Sequence, residues 1–270
     1  MKINGSIVLY KNPESELVNL LEVFTNSKIT NILYIVDNSP DIRLKKICKR
    51  FPKTCYIKTN NIGYGSGHNI ALKKSLNNCD FHVVMNVDIN FDEFILEKLG
   101  NFMIKNNDIG LVMPKILSDE GVTQNLCKLV PSPVQVFLRR FVFCKKILKK
   151  INYTYEMQYM DYNKSFDVPI LSGCFMFLKN SVFYDVGFFD ENFFMYFEDV
   201  DYSRRIGKKY RTVYYPNVEV THLHKKESYK SLKILKHHIK SAVYYFNKYG
   251  WFNDQDRKTI NKKFLQGVLK

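Results

Sequence analysis

The sequence predicts an α/β protein in which helices flank a mainly parallel central sheet. Between residues 3 and 113, short apolar runs typical of buried strands alternate with segments whose apolar residues recur at helical spacing. Clusters of Asp, Asn, Ser, Pro and Gly separate these segments. Hydrophobic residues make up 46% of the chain and aromatic residues 15%, which is enough for a core and argues against wholesale disorder. A length of 270 residues fits one large domain or two smaller ones.

Local signals predict the first elements. An apolar run over residues 3–10 predicts a strand. Asn12-Pro13-Glu14 then predicts a helix start, because it offers a capping residue, a proline at the first helical position and an acid in the first turn. A second strand over residues 32–36 ends in Asp37-Asn38-Ser39-Pro40, which is a turn signal.

The next elements continue the alternation. Residues 41–50 predict a short basic helix, and residues 55–57 a third strand. A glycine-rich loop over residues 60–67 precedes a helix predicted over residues 68–76. Residues 81–85 are apolar throughout and predict a fourth, buried strand.

A ligand site is predicted where these strands end. The fourth strand runs into Asn86-Val87-Asp88, and a helix over about residues 92–106 and a strand over residues 109–113 complete the series. Ligands of parallel α/β sheets bind outside the carboxyl ends of the strands. Asp37, the glycine-rich loop and Asp88 all fall at such ends. We therefore expect these residues to border one site.

The second half of the chain has a less regular pattern. Residues 115–168 carry turn signals and a mixture of basic and aromatic residues, and order returns with an apolar run over residues 168–178 that contains Ser172-Gly173. A long amphipathic helix is predicted from Tyr229 onward. Its apolar stripe consists of Leu232, Leu235, Ile239, Ala242 and Phe246.

The most informative segment is Phe193-Phe194-Met195-Tyr196-Phe197-Glu198-Asp199-Val200-Asp201. It places three carboxylates directly after five large apolar side chains. Apolar surroundings and neighbouring carboxylates raise the pKa of a carboxyl group, which makes a general base that works near neutral pH. The alternative interpretation is an ordinary helix start, where acids favour the positive end of the helix dipole. A second acidic element at the end of a strand, Asp88, favours the functional interpretation.

Three further motifs are ambiguous when each is taken alone. The Gly63-Tyr64-Gly65-Ser66-Gly67 loop suits phosphate binding at a helix start, but it has neither Walker nor dinucleotide spacing and also fits a plain turn. Asn86-Val87-Asp88 suits Mg²⁺ or Mn²⁺ beside a diphosphate, or an ordinary strand-end turn. His222 and His224 are two residues apart and would therefore lie on the same face of a strand. They could be metal ligands or simply surface histidines.

The net charge indicates which kinds of partner the protein binds, and the cysteine content indicates in which cellular compartment it works. Lys and Arg outnumber Asp and Glu by 41 to 26, a net charge of +15 that indicates nucleic acid, an anionic membrane or phosphorylated substrates. The basic residues concentrate within 137–150 and 225–270, interleaved with apolar residues as in segments that lie on a membrane surface. Nucleic-acid-binding motifs are absent from the sequence. Six scattered cysteines predict reduced thiols, and no signal peptide or membrane-spanning run is recognisable, so the sequence predicts a cytoplasmic protein.

Taken in chain order, these motifs resemble those of the family 2 glycosyltransferases, most closely a bacterial rhamnosyltransferase-like branch. The resemblance covers roughly residues 3–250. Its most specific parts are Phe-Met-Tyr-Phe-Glu-Asp-Val-Asp at 194–201 and the glycine-rich loop ending in His68-Asn69. The other matching parts are the first strand, Asp37-Asn38-Ser39, Asn86-x-Asp88, Ser172-Gly173 and His222-x-His224-x-x-x-Ser228.

The resemblance implies a GT-A fold and roles for individual residues. Asp199 matches the catalytic base, with Glu198 beside it and Asp201 as support. Asp88 matches the metal-binding position, His222 or His224 would complete it, and Ser172 and Gly173 lie on the acceptor side. Asn86 stands where many family members have another Asp. The implied donor-binding residues are Tyr10, Asp37, Asn38, Asn61, Gly63, Gly65, His68, Asn69 and Asn86.

The expected activity is inverting transfer of a sugar from a nucleotide diphosphate to a hydroxyl of a lipid-linked saccharide in bacterial surface polysaccharide synthesis. The expected donor is dTDP-L-rhamnose, with a UDP-hexose as the alternative. The resemblance implies Mg²⁺ or Mn²⁺, no organic cofactor and no nucleic acid, and peripheral attachment to the inner face of the plasma membrane.

Two rival functions and the domain division complete the predictions. A nucleotidyltransferase would carry a glycine-rich basic signature near the first strand, which this sequence lacks. A non-enzymatic basic membrane- or nucleic-acid-binding module explains the charge but not the acidic motifs. We expect a catalytic domain over residues 1–228, with a nucleotide-sugar half to about residue 114 and an acceptor half from 115, followed by a basic helical extension over residues 229–270.

Overall fold

The computed structural model describes residues 1–141, 144–223 and 232–266. Its strands are β1 (Ile3–Leu9), β2 (Thr30–Asp37), β3 (Thr54–Lys58), β4 (Phe81–Met85), β5 (Ile89–Asn90), β6 (Ile109–Leu117), β7 (Phe166–Asp167), β8 (Phe175–Lys179) and β9 (Arg211–His222). Its helices are α1 (Glu14–Asn26), α2 (Lys45–Cys48), α3 (Tyr64–Ser75), α4 (Ile95–Lys105), α5 (Pro133–Phe141), α6 (Lys145–Tyr155), α7 (Ser181–Asp185), α8 (Glu198–Ile206), α9 (Leu232–Tyr249) and α10 (Gln255–Leu265).

All described strands belong to one mixed sheet. Their order is β3-β2-β1-β4-β8-β6-β9-β5, and β7 also pairs with β9. The neighbours from β3 to β4 are parallel, as the alternation of strands and helices predicts. β8 then inserts between β4 and β6 and is antiparallel to both, while β9 is parallel to β6. The predicted α/β class with flanking helices and a helical C-terminal part is confirmed.

Burial explains why the apolar runs form the centre of this sheet. Every residue of β4 and the first six residues of β6 are buried, as expected for strands with both faces covered. On one face, α1 buries Leu17, Leu20, Leu21 and Phe24, which recur at helical spacing. The carboxyl ends of the central strands therefore lie at the edge of a continuous core.

The glycine-rich segment differs from the predicted open loop. α3 begins at Tyr64 and not at His68, so Gly65 and Gly67 lie inside its first turns. A Cβ at Gly67 would lie 2.7 Å from Cγ2 of Val8 on β1. Glycine at this position therefore permits close packing of the helix on the sheet.

The less regular middle of the chain contains two helices that the sequence pattern did not reveal, α5 and α6. They carry most of the first basic and apolar cluster, of which Val142 and Phe143 lie outside the described residues. The predicted ordered run over 168–178 forms a strand only from Phe175. Its preceding residues form a bridge at Ile170 and a turn at Gly173 and Cys174, which leads into the site.

The C-terminal helices pack on α8 through a small second core. Phe193, Phe197 and Val200 meet Ala242 and Phe246 of α9 there. The expected boundary near residue 228 lies outside the described residues, and the division into domains stays a prediction. No helix in the described parts of the chain has both the length and the apolar composition needed to cross a bilayer.

Candidate active site

A continuous series of contacts joins the strand-end acid Asp88 to the acid of α8, Asp199. Nε2 of His222 lies 3.3 Å from Oδ1 of Asp88 and 3.2 Å from the side-chain amide of Asn86. The hydroxyl of Tyr64 lies 2.9 Å from the same amide and donates a 2.7 Å hydrogen bond to the carbonyl oxygen of Gly173. The backbone amide of Gly173 in turn contacts Asp199.

Asp199 is held by two backbone amides. The N–H of Gly173 donates to its Oδ2 at 3.0 Å, and the N–H of Val200 donates to its Oδ1 at 2.9 Å. The carboxylate is half-buried at the first turn of α8 and lines a cavity. The acids begin a helix, as the alternative interpretation of this segment predicts, and one of them lines a cavity. The role of Asp199 as a general base stays a prediction.

The turn before α8 is strained. Tyr196 and Phe197 both have left-handed φ angles, 69° and 68°, which cost on the order of 1–3 kcal/mol for each non-glycine residue. Helix α9 supports this turn: Ser241 Oγ donates to the Met195 carbonyl oxygen at 2.8 Å, and the His238 ring packs edge-on against both strained aromatics. Strain that the surrounding structure holds in place is typical of functional sites.

Glu198 lies behind Asp199 in an apolar environment. Its side chain is buried, and its Oε2 has no hydrogen-bond partner among the residues that the structure describes. Burial, and to a smaller extent the charge of Asp199, raises the pKa of Glu198 well above its usual range. The Glu198 side chain is therefore protonated and neutral at pH values near, and moderately above, the ordinary pKa of a glutamate.

Asp201 faces away from this open space. Its fully buried carboxylate accepts hydrogen bonds from Arg205 at 2.7 Å, Lys248 at 2.6 Å and Tyr249 at 2.7 Å. Since Lys248 and Tyr249 belong to α9, Asp201 connects α8 to the C-terminal helices. This position fits a supporting role and not contact with a substrate.

The side chains at the end of β2 are buried and bonded to the chain itself, except that Oδ1 of Asn38 has no hydrogen-bond partner among the described residues. Asp37 accepts from the Ser39 amide at 2.9 Å and the Tyr56 hydroxyl at 2.6 Å, and Asn38 donates to the Gly63 carbonyl oxygen at 3.1 Å. Tyr10 and Asn61, by contrast, are exposed nearby on the same side of the sheet. Direct contact of these residues with a nucleotide stays a prediction.

Two other residues with implied donor contacts are core residues in this structure. His68 is fully buried, and its Nδ1 lies 2.7 Å from Ser6 Oγ. Asn69 is buried too and exchanges hydrogen bonds with the backbone of Phe189 at 2.9 and 3.0 Å. Both residues lock α3 in place, and Gly65 permits the close approach of Phe189 and Glu198.

Gly63 brings the α3 start against the aromatic segment. Its φ is +97°, and a Cβ there would clash with the carbonyl oxygen of Phe194. The Tyr64 amide donates to that same oxygen at 2.9 Å. Gly63 therefore fixes the place of Tyr64 relative to the segment that carries the acids.

The residues around Asp88 suit a divalent cation. Burial alone would lower the pKa of His222, but hydrogen bonds with Asp88 and Cys174 raise it to about 10. Among the described residues no third His, Cys, Asp or Glu joins this pair in a metal-binding group, and His224 lies outside them. One carboxylate and one imidazole fit Mg²⁺ or Mn²⁺ when diphosphate and water supply the other ligands, provided that the cation displaces the proton that Asp88 favours on His222.

Sequence reasoning did not identify Tyr64, which joins the two halves of the site, or the cavity that Asp199 lines. The only feature of the sequence that could have pointed to Tyr64 is its position between Gly63 and Gly65. No feature of the sequence could have pointed to the cavity, because its walls come from α5, α6, α8 and α9, and the sequence does not show how these helices pack.

Comparison with known proteins supports the resemblance to glycosyltransferases, although no family model matches the chain. The chain is 26% identical over 207 residues to the low-salt glycan biosynthesis hexosyltransferase Agl10 of Haloferax volcanii, covering 75% of this chain and 61% of that protein. It is 24% identical over 245 residues to the N-acetylglucosaminyl-diphospho-decaprenol L-rhamnosyltransferase of Mycobacterium tuberculosis, covering 85% of this chain and 79% of the relative.

A solved structure confirms the fold. GalNAc-T7, crystallised with UDP, GalNAc and Mn²⁺, matches 84% of this chain with a TM-score of 0.61 at 12% identity, and the match covers 44% of the GalNAc-T7 chain. The chain thus spans about three fifths of the length of Agl10 and less than half of GalNAc-T7. The chain is thus similar in sequence to glycosyltransferases, and its fold is the GT-A fold of these enzymes.

Proposed function

We propose that this protein is an inverting glycosyltransferase that moves a sugar from a nucleotide diphosphate to an acceptor hydroxyl. One observation carries the proposal: the contacts through His222, Asn86, Tyr64 and Gly173 bring the strand-end acid and the acid of α8 into one site. The GT-A fold and the glycosyltransferase relatives support it.

In this proposal Asp199 is the general base. It takes the proton of the acceptor hydroxyl while the hydroxyl oxygen attacks the anomeric carbon from the face opposite the diphosphate. The new C–O bond forms as the bond to the diphosphate breaks, and the configuration of the sugar inverts. The amides of Gly173 and Val200 orient the carboxylate, so that little reorganisation precedes proton transfer.

Asp88 and His222 would hold Mg²⁺ or Mn²⁺, which when bound neutralises charge on the diphosphate. Both lie at the carboxyl ends of strands, at the edge of the sheet where α/β proteins bind ligands. The Mn²⁺ and UDP in the GalNAc-T7 crystal support this assignment. Tyr10, Asn61 and Asn86 would border the donor beside it.

The proposed donor is dTDP-L-rhamnose and the proposed acceptor a lipid-linked saccharide, as in the name of the M. tuberculosis relative. A UDP-hexose is the second candidate donor, and it is favoured by the hexosyltransferase relative and by the UDP in the GalNAc-T7 crystal. Both donors use the same geometry, because the nucleotide and not the sugar contacts the ends of β1 and β2.

We also propose peripheral attachment to an anionic membrane through α5 and α6. Exposed apolar residues on these helices, Val134, Leu138 and Ile147, are interspersed with exposed lysines at 145, 146, 149 and 150. This combination is typical of helices that lie in the interface of a bilayer. Such attachment would place Asp199 beside acceptors anchored in the membrane.

The test is a donor screen with the purified protein. A panel of dTDP- and UDP-sugars is incubated with diphosphate-linked acceptor lipids, with Mn²⁺ or with EDTA, and released nucleoside diphosphate and glycosylated lipid are both measured. We expect one nucleotide series to give acceptor-dependent product that falls sharply with EDTA. Absence of acceptor-dependent transfer from every donor would contradict the proposal.

A further inference from the structure

A cavity of about 560 Å³ opens beside Asp199. Four helices contribute to its walls, namely α5, α6, the first turns of α8 and the N-terminal half of α9. Its volume lies in the range of small-molecule binding sites. The candidate base thus faces a space large enough for a substrate.

The lining of this cavity combines aromatic, aliphatic and cationic groups. Tyr155 and Tyr196 offer ring faces and edges, while Leu148 and Leu235 offer aliphatic surface. The cationic groups are Lys128 and Arg139, and Asp199 is the acidic residue of the lining. Such a lining suits an amphiphilic ligand that carries a negative charge.

Lys128 and Arg139 differ in their partners. Arg139 forms an ion pair with Glu156 and lies over the Tyr155 ring, 4.7 Å from its centroid. No carboxylate among residues 1–141, 144–223 and 232–266 pairs with the ammonium of Lys128. Its backbone is nevertheless fixed, because it exchanges hydrogen bonds with Ile170 at 3.0 and 3.2 Å. A half-buried cation on a rigid backbone, with no carboxylate partner in the described part of the chain, is suited to an anionic ligand group.

We propose that this cavity is the acceptor site and that Lys128 binds a phosphate group of the acceptor. The inference rests on the proposed function and deepens it, since it specifies an acceptor with a sugar, a phosphate or diphosphate, and an apolar chain. The sugar hydroxyl lies at Asp199, and the volume leaves room for the sugar and its phosphates but not for a long polyprenol. That chain leaves the cavity beside the exposed apolar residues of α5 and α6.

The test measures binding and not transfer. N-acetylglucosamine linked through diphosphate to a short isoprenoid alcohol is titrated calorimetrically into wild type, Lys128→Met, Lys128→Arg and the control Lys146→Met, whose lysine is exposed on α6. We expect Lys128→Met to weaken binding at least tenfold, Lys128→Arg to restore it to within about threefold, and Lys146→Met to leave it unchanged. Lys128→Met should not lower the melting temperature, because it removes an uncompensated charge and keeps the aliphatic stem.

Three results would overturn the assignment. Unchanged binding by Lys128→Met would remove the phosphate contact, and equal weakening by Lys146→Met would show unspecific attraction. Inorganic pyrophosphate that binds as tightly as the glycolipid probe would mean a free diphosphate site in place of an acceptor site. Binding of dTDP and UDP, measured in the same variants, separates this inference from the proposed function: if no nucleotide binds, the proposed function fails whatever Lys128 does.

Discussion

The hydroxyl of Tyr64 donates a 2.7 Å hydrogen bond to the carbonyl oxygen of Gly173, and the amide of the same glycine holds the Asp199 carboxylate. Tyr64 also lies 2.9 Å from the side-chain amide of Asn86, next to Asp88. One hydroxyl group therefore sets the position of the candidate base relative to the candidate metal residue.

Tyr64→Phe should lower kcat about tenfold while leaving the donor KM within twofold, because the ring stays and only the connection between the two halves is lost. Steady-state kinetics with the donor identified in the screen measures both constants. Tyr184→Phe is the matched control, since its hydroxyl bonds to Asn77 at an exposed site far from the acids in sequence. Equal effects of the two variants would argue against a positioning role for Tyr64.

Asp199→Asn should lower kcat by about 10²–10⁴-fold, the range for a lost general base, with little change in nucleotide binding. The Asn side chain keeps the shape of Asp, but its single oxygen can accept only one of the two backbone hydrogen bonds, from Gly173 or from Val200. The melting temperature is therefore measured with kcat, to separate a loss of fold from the loss of the base. Asp119→Asn, in an exposed turn, controls for the loss of a carboxylate. Turnover near that of the wild type in Asp199→Asn would exclude this residue as the base.

The sequence predicted the elements whose signals are local. The strand–helix series up to residue 113 is confirmed apart from shifted ends, because apolar runs and turn residues act within a few positions. The pairing of β8 between β4 and β6 was not predicted, since strand order depends on contacts across the whole chain. α5 and α6 were not predicted, although their apolar residues recur at helical spacing.

The sequence predicted where the candidate site residues lie in the fold better than it predicted which of their side chains are buried. Asp88 and Asp199 could be selected from the sequence because strand ends and an acidic helix start are visible there, and contacts connect the two residues in the structure. Their roles in a site stay a prediction. His68 and Asn69, however, turned out to be core contacts of α3. A sequence motif does not reveal which face of a helix its polar residues take, and here tight packing of Gly67 on Val8 turns them inward.

Glu198→Gln should change the pH dependence of stability. Because the folded pKa of Glu198 is raised, the folded state binds more protons than the unfolded state above the ordinary pKa of about 4.5. The wild type therefore loses stability as pH rises from there through the folded pKa, and the variant lacks this loss. The stability of Glu198→Gln relative to wild type should increase with pH.

Urea unfolding at several pH values from 4 to 9 measures that difference. Glu120→Gln, at an exposed turn, should give a stability difference that hardly varies with pH. A difference between Glu198→Gln and wild type that stays constant over the same interval would mean that Glu198 is charged in the folded protein, contrary to its burial.

The membrane proposal predicts that replacing Lys145, Lys146, Lys149 and Lys150 with Gln weakens binding to anionic vesicles at least tenfold, since each lysine near such a surface contributes about 1 kcal/mol. The control replaces Lys45, Lys46, Lys49 and Arg50, four exposed cations around α2, and so changes net charge equally. Cosedimentation with phosphatidylglycerol vesicles compares the two. Equal loss of binding in both would indicate general charge attraction and no specific face.

The C-terminal helices are joined to α8 by a buried ion pair. Arg204 donates two hydrogen bonds of 2.6 Å to Asp254, and both side chains are almost completely buried. Asp254 also caps α10 by accepting from the Arg257 amide at 2.9 Å. Asp254→Asn leaves the buried Arg204 with only the exposed Asp256, 3.7 Å away, as an acidic partner. We therefore expect a loss approaching about 3–5 kcal/mol in the free energy of unfolding.

Asp256→Asn is the comparison, because the exposed Asp256 pairs with Lys208 at 2.7 Å and lies farther from Arg204, at 3.7 Å, so its loss should cost about 0–1 kcal/mol. Urea unfolding measures both variants. Loss of the Arg204–Asp254 ion pair also has a functional consequence, because this pair holds the C-terminal helices on α8, and α9 supports the strained Tyr196–Phe197 turn before Asp199. If Asp254→Asn is destabilised but keeps wild-type kcat while folded, α9 stabilises the protein without positioning the base. A fall in kcat in the folded variant, with nucleotide binding retained, instead shows that docking of α9 sets the geometry of the acid.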